Sequence, residues 1–197
     1  MIPWLSVVAV LACIALCGYY YIKSVGPAAL AQKLGPAAYA KCARYRRIAV
    51  VWMCLSVIPY AVYMFYPLPF LPRTFPWPWW VSAVIAALIM LPAGYVMYRG
   101  TRDAGEETLV PKPEHTLYGG IYAHIRHPQA VGEFLLTVGL VLLLHSPFLF
   151  VFSILTWGPT FVWMCRAEER DLLIRYSADY QAYRERTGMF FPKKSTR

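Results

Sequence analysis

Charge is scarce in this chain. Of 197 residues only 15% are charged, with 10 Asp and Glu against 19 Lys and Arg. That scarcity excludes an ordinary soluble domain of this length. The polar stretches are short and the basic residues flank apolar runs, so the net charge of +9 reads as membrane topology rather than as a nucleic-acid surface. Cysteines are few and odd in number, at positions 13, 17, 42, 54 and 165, with no C-x-x-C and no Cys/His cluster of zinc spacing. A zinc site is excluded, and the thiols read as small apolar packing residues. No G-x-G-x-x-G follows a strand, which excludes a soluble dinucleotide fold. No basic stretch precedes the first apolar run and no clear cleavage site comes after it, so a retained membrane helix is expected rather than a signal peptide.

What is abundant is apolar surface: 59% of residues are hydrophobic and 16% aromatic. Five runs approach the roughly 20 residues that cross a bilayer. They cover about 2–22, 48–66, 79–98, 128–145 and 147–165. Pro59 is expected to kink the second, and the third contains Pro92 and Gly94. The Pro- and Trp-rich PLPFLPRTFPWPWW suits the headgroup layer. Ser146-Pro147 leaves so short a break that the last two helices are expected to form a hairpin. Residues 99–120 read as a polar loop with one helical turn. In the tail, 166–197, Leu172, Leu173, Tyr176, Tyr180 and Tyr183 recur at three- and four-residue spacing, the mark of an amphipathic helix. The echo of Gly26-Pro27-Ala28-Ala29 at Gly35-Pro36-Ala37-Ala38 is explained by two short interfacial helical turns with Pro at N1. The fold expected is all-α: an integral membrane protein with five transmembrane helices, helices 4 and 5 as a hairpin and a cytoplasmic C-terminal amphipathic helix. Residues 1–98 hold three helices and a basic loop; residues 99–197 form the chemistry-bearing region.

Five crossings place the segments 23–47, 99–127 and the tail on one side. All Lys and Arg except Arg73 lie there, which makes that side cytoplasmic. The chemistry-bearing stretches share that side. In IYAHIRHPQAVGEF, residues 121–134, Pro128 fits N1 of a helix, whose N-terminus beside Arg126 and His127 suits an anion such as a carboxylate. Interfacial anchoring of Arg126 and His127 on lipid phosphate is the plain alternative. Gly119-Gly120 permits a tight turn and close backbone approach. Gln129, Glu133 and Thr137 form an i, i+4, i+8 polar stripe that should face the protein interior, where Glu133 either meets substrate or pairs with a buried arginine. Glu168 and Glu169 come just after an apolar run, where the helix end favours cations. They either pair with Arg166 and Arg170 or bind a cationic or ribose group.

Two blocks carry a resemblance. Gly120-Ile121-Tyr122, Arg126-His127-Pro128 and Gly132 resemble the G-x-Y-x-x-x-R-H-P-x-x-x-G signature of the isoprenylcysteine carboxyl methyltransferase family, whose wider group includes phospholipid N-methyltransferases. Glu168-Glu169, Leu172, Tyr176, Tyr180, Tyr183 and Phe191-Pro192 resemble its second block. The likeness covers about residues 107–193. It implies a membrane methyltransferase using S-adenosylmethionine, with His115, Thr116, Leu117, Tyr122, His127, Pro128, Gln129, Ala130 and Glu168 around the cofactor; by their own chemistry Arg126 suits its carboxylate, Glu169 its amino group and Gly120 a close backbone approach. A lipophilic acceptor would enter from the bilayer, and neither a metal nor nucleic acid is implied. Ala130, Glu133 and Met164 depart from the family pattern, the last replacing an arginine implied in carboxylate binding. Glu133 is then the candidate base for an amine acceptor, and Arg166 the candidate to orient a carboxylate. An NADPH-dependent sterol-type reductase shares an R-H-P block but is a much longer protein. A non-enzymatic membrane subunit leaves both blocks unexplained.

Overall fold

The computed structural model describes residues 1–112 and 119–193. Among them the secondary structure is helical, with one isolated bridge between Ile125 and Gly188. The helices are α1 (Ile2–Ser24), α2 (Pro27–Leu34), α3 (Ala37–Leu55), α4 (Val57–Phe65), α5 (Trp79–Ala104), α6 (Pro128–Leu143) and α7 (Pro147–Arg186). Single 3₁₀ turns occupy Gly105–Thr108 and Gly120–Ala123.

Four helical stretches are long and apolar enough to cross a membrane: Ile2–Ser24, Ala37–Phe65, Trp79–Thr108 and Pro147–Arg186. The fourth apolar run became α6, whose 16 residues extend about 24 Å, less than the roughly 30 Å of hydrocarbon in a bilayer. Large apolar side chains such as Leu88, Leu91, Leu155 and Trp163 stand exposed on the long helices, as lipid-facing positions do.

Helices outrun the apolar runs in three places. The second span begins at Ala37 and so takes in part of the basic segment, because Ala, Lys and Arg are good helix formers. Pro36 is the N-cap of that long helix rather than the start of a short turn, whereas Pro27 does open the eight-residue α2. The third span runs on to Ala104, so the polar loop is shorter than its composition suggests. The fifth run and the tail form one helix of 40 residues, broken only at Ser177 (φ 42°, ψ −111°). The kink expected at Pro59 appears as the α3/α4 break at Ser56. The physical cause is that Pro59 has no N–H for the carbonyl four residues earlier, at Leu55, and its ring crowds that group.

The larger core joins Val10, Ile14 and Cys17 of α1, Tyr60 and Tyr63 of α4 and Trp157, Phe161 and Met164 of α7. A smaller cluster holds Ala86 of α5 against Val138 and Leu142 of α6. The α5–α6 pair packs most extensively, and Gly132 is what permits it. A Cβ there would lie 2.6 Å from Met97 Cβ and 2.9 Å from the backbone oxygen of Ala93. Gly132→Ala is therefore expected to destabilise by about 1–3 kcal/mol through overpacking. Gly94→Ala, inside α5 and meeting nothing within 4 Å, should instead be neutral or stabilise by up to about 1 kcal/mol, because alanine is the better helix former. Thermal unfolding in detergent reads both, and equal shifts would remove Gly132 from this role.

Two polar assemblies tie the ends of the bundle. At one end Trp77 Nε1 donates to Ser82 Oγ (3.0 Å), Ser82 Oγ meets His145 Nδ1 (2.8 Å), and Phe75 N donates to the His145 carbonyl (3.3 Å). The Pro/Trp loop is thereby fastened to the α6–α7 turn. At the other end Asp171 Oδ1 accepts from Ala28 N (3.0 Å) and Ala29 N (3.1 Å), capping α2 from α7. Arg46 donates to the carbonyls of Glu107 (3.0 Å) and Thr108 (3.2 Å). The basic segment, the 99–127 segment and the tail thus meet at one end.

Candidate active site

A cavity of about 320 Å³ opens at that end, within the ~300–1,000 Å³ typical of small-molecule sites. Its walls come from six elements: Tyr21 of α1; Arg46, Val50 and Met53 of α3; Met97 and Thr101 of α5; Glu107–Leu109, Tyr122, Arg126 and His127 of the connecting segment; Gln129, Ala130 and Glu133 of α6; and Phe161, Met164, Cys165, Glu168, Leu172 and Tyr180 of α7.

The R-H-P segment is held from both sides. Pro128 is the first residue of α6 and His127 its N-cap, and no side chain caps that first turn. Its N–H groups therefore remain a place for an anion. The returning tail supplies two carbonyls: Gly188 O accepts from Arg126 N (2.9 Å) and Met189 O from His127 N (3.2 Å). Tyr183 OH donates to the Tyr122 carbonyl (2.7 Å). Gln129 Nε2 donates among Gly100 O (3.2 Å), Thr108 Oγ1 (3.1 Å) and Tyr122 OH (3.1 Å), locking Tyr122 and Gln129 together.

The two adjacent glutamates have different surroundings. Glu169 is 6% exposed. It takes Arg126 Nε at 2.7 Å and His127 Nε2 at 3.1 Å on one oxygen, with Arg184 Nε at 3.4 Å from the other. The Arg126 guanidinium also donates to the Arg184 and Thr187 carbonyls, so Arg126 and Glu169 form a clamp between the segment and the tail. Glu168 lines the cavity with looser contacts: Tyr21 OH at 3.4 Å and His127 Nδ1 at 3.6 Å. Burial alone would drive the His127 ring neutral. Contacts with Cys165 and with both carboxylates outweigh it and hold its pKa well above the ordinary histidine range. Both ring nitrogens face carboxylates, an arrangement in which only the charged ring donates twice.

The sequence candidates fall in three groups. Tyr122, Arg126, His127, Gln129, Ala130, Glu133 and Glu168 line the cavity. Gly120, Pro128, Glu169 and Arg166 are not among its lining. Gly120 adopts φ 61° and lies against Asp103, whose carboxylate accepts from Ile121 N (2.9 Å), so a Cβ there would collide with it. Pro128 packs beneath Gly100. Arg166 is exposed; it lies two residues, about 200°, beyond the lining residue Met164 on the same helix. His115, Thr116 and Leu117 lie outside the described residues. The carboxylate of Glu133 has no hydrogen bond or ion pair among the described residues; Thr137 Oγ1 bonds to its carbonyl instead (2.9 Å). Of the two expectations for Glu133, no direct bond to a buried arginine forms among the described residues, although the charge of the buried Arg46 reaches its carboxylate.

Sequence reasoning missed Tyr21, Arg46 and Met53, which enter the wall from the first half of the chain. Tyr180 was legible only as part of a spaced pattern. It is 1% exposed, and its hydroxyl has no partner among the described residues. The i, i+4, i+7 spacing of Arg46, Val50 and Met53 was the available signal.

A family model described as phospholipid methyltransferase matches residues 81–179. Protein-S-isoprenylcysteine O-methyltransferase from Saccharomyces cerevisiae is 34% identical over 73 residues, 37% of this chain and 30% of the yeast protein. The chain thus spans less than a third of that curated relative's length. No solved structure matches.

Proposed function

Because the chain belongs to the phospholipid methyltransferase family, we propose that its cavity binds S-adenosylmethionine and a membrane-borne acceptor, and that the protein transfers a methyl group between them. One observation carries the reading: the charged cluster of His127 and Glu168 opens into a cavity that also ends in apolar walls. The donor set fits an amino-acid-bearing cofactor. His127 and the uncapped first turn of α6 suit its carboxylate. Glu168, loosely bonded and facing the cavity, suits its ammonium. The unpartnered hydroxyl of Tyr180 is a further buried polar group that a ligand would satisfy. Tyr21, Phe161 and Leu172 supply apolar walls for a ring. When bound, the cofactor supplies an activated methyl group on a sulfonium.

The chain's own part is alignment and exclusion of water. Entry from the bilayer is supported by the packing: α3 and α5 both line the cavity yet share at most a marginal contact. On these two helices Val50, Met53 and Met97 line the cavity. The basic residues around this end support a cytoplasmic placement. The first reading of the acceptor is isoprenylcysteine-like. A second, an amine-bearing lipid, is favoured by the unpaired carboxylate of Glu133, which would accept the proton that the acceptor nitrogen sheds.

The test is thermal unfolding in neutral detergent. S-adenosylhomocysteine at about 100 times its Kd should stabilise the protein by about 2.7 kcal/mol, NADPH should not, and Glu168→Gln should lose most of the shift. No shift at millimolar S-adenosylhomocysteine sinks the methyltransferase reading, and a shift with NADPH alone replaces it with a reductase.

A further inference from the structure

We propose that Arg46 anchors the anionic group of the methyl acceptor, a phosphodiester or a carboxylate, and so helps to determine which amphiphiles the cavity takes. This role rests on the reading of the cavity as a methyl-transfer site, and falls to a residue outside the stretch that the family model matches.

Arg46 is 9% exposed and lies on the cavity wall. An arginine so buried is ordinarily paired with a carboxylate. Among the described residues none lies within salt-bridge distance of it, and the chain carries no acidic residue before Asp103, so α1–α4 have none to offer. The bonds Arg46 does make are to neutral acceptors: Ser24 Oγ at 3.4 Å and the carbonyls of Glu107 and Thr108. The Tyr21 ring lies 5.6 Å from its guanidinium carbon. These contacts aim the guanidinium; the carboxylates of Glu133 and Glu168 are near enough to feel its charge, but among the described residues neither bonds to it.

The acids that line the same cavity are placed for other tasks. Glu168 is shared with His127 and Tyr21, Glu107 Oε1 accepts from Lys112 N, and Glu133 stands on α6. Beyond Arg46 the cavity-facing side of α3 turns apolar. Val50 and Met53 stand at i+4 and i+7 and line the cavity too, so the face passes from cation to apolar over about 10 Å. That is the complement of an amphiphile with an anionic head and a hydrocarbon tail. The stripe lies on α3, one of the two helices between which lipid entry is proposed. A phosphodiester and a carboxylate offer the same bidentate match to a guanidinium.

The test measures binding to the full chain in a neutral detergent without cofactor, using paired probes. Dioctanoyl phosphatidylmethanol, whose phosphodiester is its one charge, is compared with dioctanoylglycerol, and N-acetyl-S-farnesylcysteine with its methyl ester. The wild type should prefer at least one anionic probe over its neutral counterpart. Arg46→Gln should weaken that probe by about 10- to 100-fold and leave the neutral one within about twofold. Arg46→Lys should retain a preference that the glutamine variant lacks. If the glutamine variant does not fold, the lysine variant alone decides: a weakened but surviving anion preference supports the role, and an unaltered one overturns it. The pair that responds identifies the source of the anion.

Wild-type affinities indifferent to the anion overturn the proposal, as does equal weakening of charged and neutral probes, which a purely structural arginine would produce. Loss of the S-adenosylhomocysteine shift with amphiphile binding intact assigns Arg46 to the cofactor and overturns it as well. Because the amphiphiles are read without cofactor, a failure of the methyltransferase reading in the wild type is told apart from a failure of this one.

Discussion

Glu169→Ala is expected to destabilise the folded protein by about 3–5 kcal/mol, a fall in Tm on the order of 10 °C. The carboxylate is the shared counter-charge of Arg126 (2.7 Å), His127 (3.1 Å) and Arg184 (3.4 Å). Without it two buried cations face each other with no anion between them. The loss should also free the tail, because Arg126 is the group that joins the Arg184 and Thr187 carbonyls to the start of α6. Limited proteolysis after Ser177 is the second readout. The neighbouring Glu168→Ala is the control: its side chain is 28% exposed and its contacts lie at 3.4 and 3.6 Å. It should cost less stability and more ligand affinity. If the two variants lost equal stability and equal affinity for S-adenosylhomocysteine, the division between a clamping and a cavity-facing glutamate would not stand.

Glu133→Gln should lower turnover by about 10²- to 10⁴-fold on an amine acceptor, the usual range for a positioned base, while leaving the S-adenosylhomocysteine shift in place. An unbonded carboxylate is what suits Glu133 to the task. It lines the cavity one turn below Gln129, with no hydrogen bond or ion pair to its carboxylate among the described residues. Glutamine keeps the shape and removes the proton acceptor. On a carboxylate acceptor, which has no proton to lose, the same change should be close to neutral. Turnover retained on both classes would reduce Glu133 to a packing role, and a lost cofactor shift would place it on the wrong ligand.

Much of this was readable along the chain. Pro128 at N1 was legible because it lacks an N–H at a position where a helix needs none, and Pro147 after Ser146 obeys the same rule. The R-H-P and E-E blocks were legible as local patterns, but the pattern is blind to partition. Glu168 and Glu169 are adjacent and chemically identical, and about 100° on a helix puts one in the cavity and the other in the clamp. Helix ends were less legible, since hydropathy marks the membrane-compatible part of a helix and not its hydrogen-bonded length. Hence α3, α5 and α7 all exceed their apolar runs.

By itself the sequence determined the all-helical membrane class, the starts of the last two helices and the residues able to carry charge near the site. Those are properties of composition and of near neighbours, for which i, i+3 and i+4 spacing suffices. Only the tertiary structure decided that Tyr21 and Arg46 belong to the site, that Glu133 is left unpaired and that Arg126 is already bonded within the protein. Each depends on elements far apart in the chain, as when α3 meets the 107–108 carbonyls, and on which donors reach which acceptors within hydrogen-bond distance. Spacing along one helix carries no information about that.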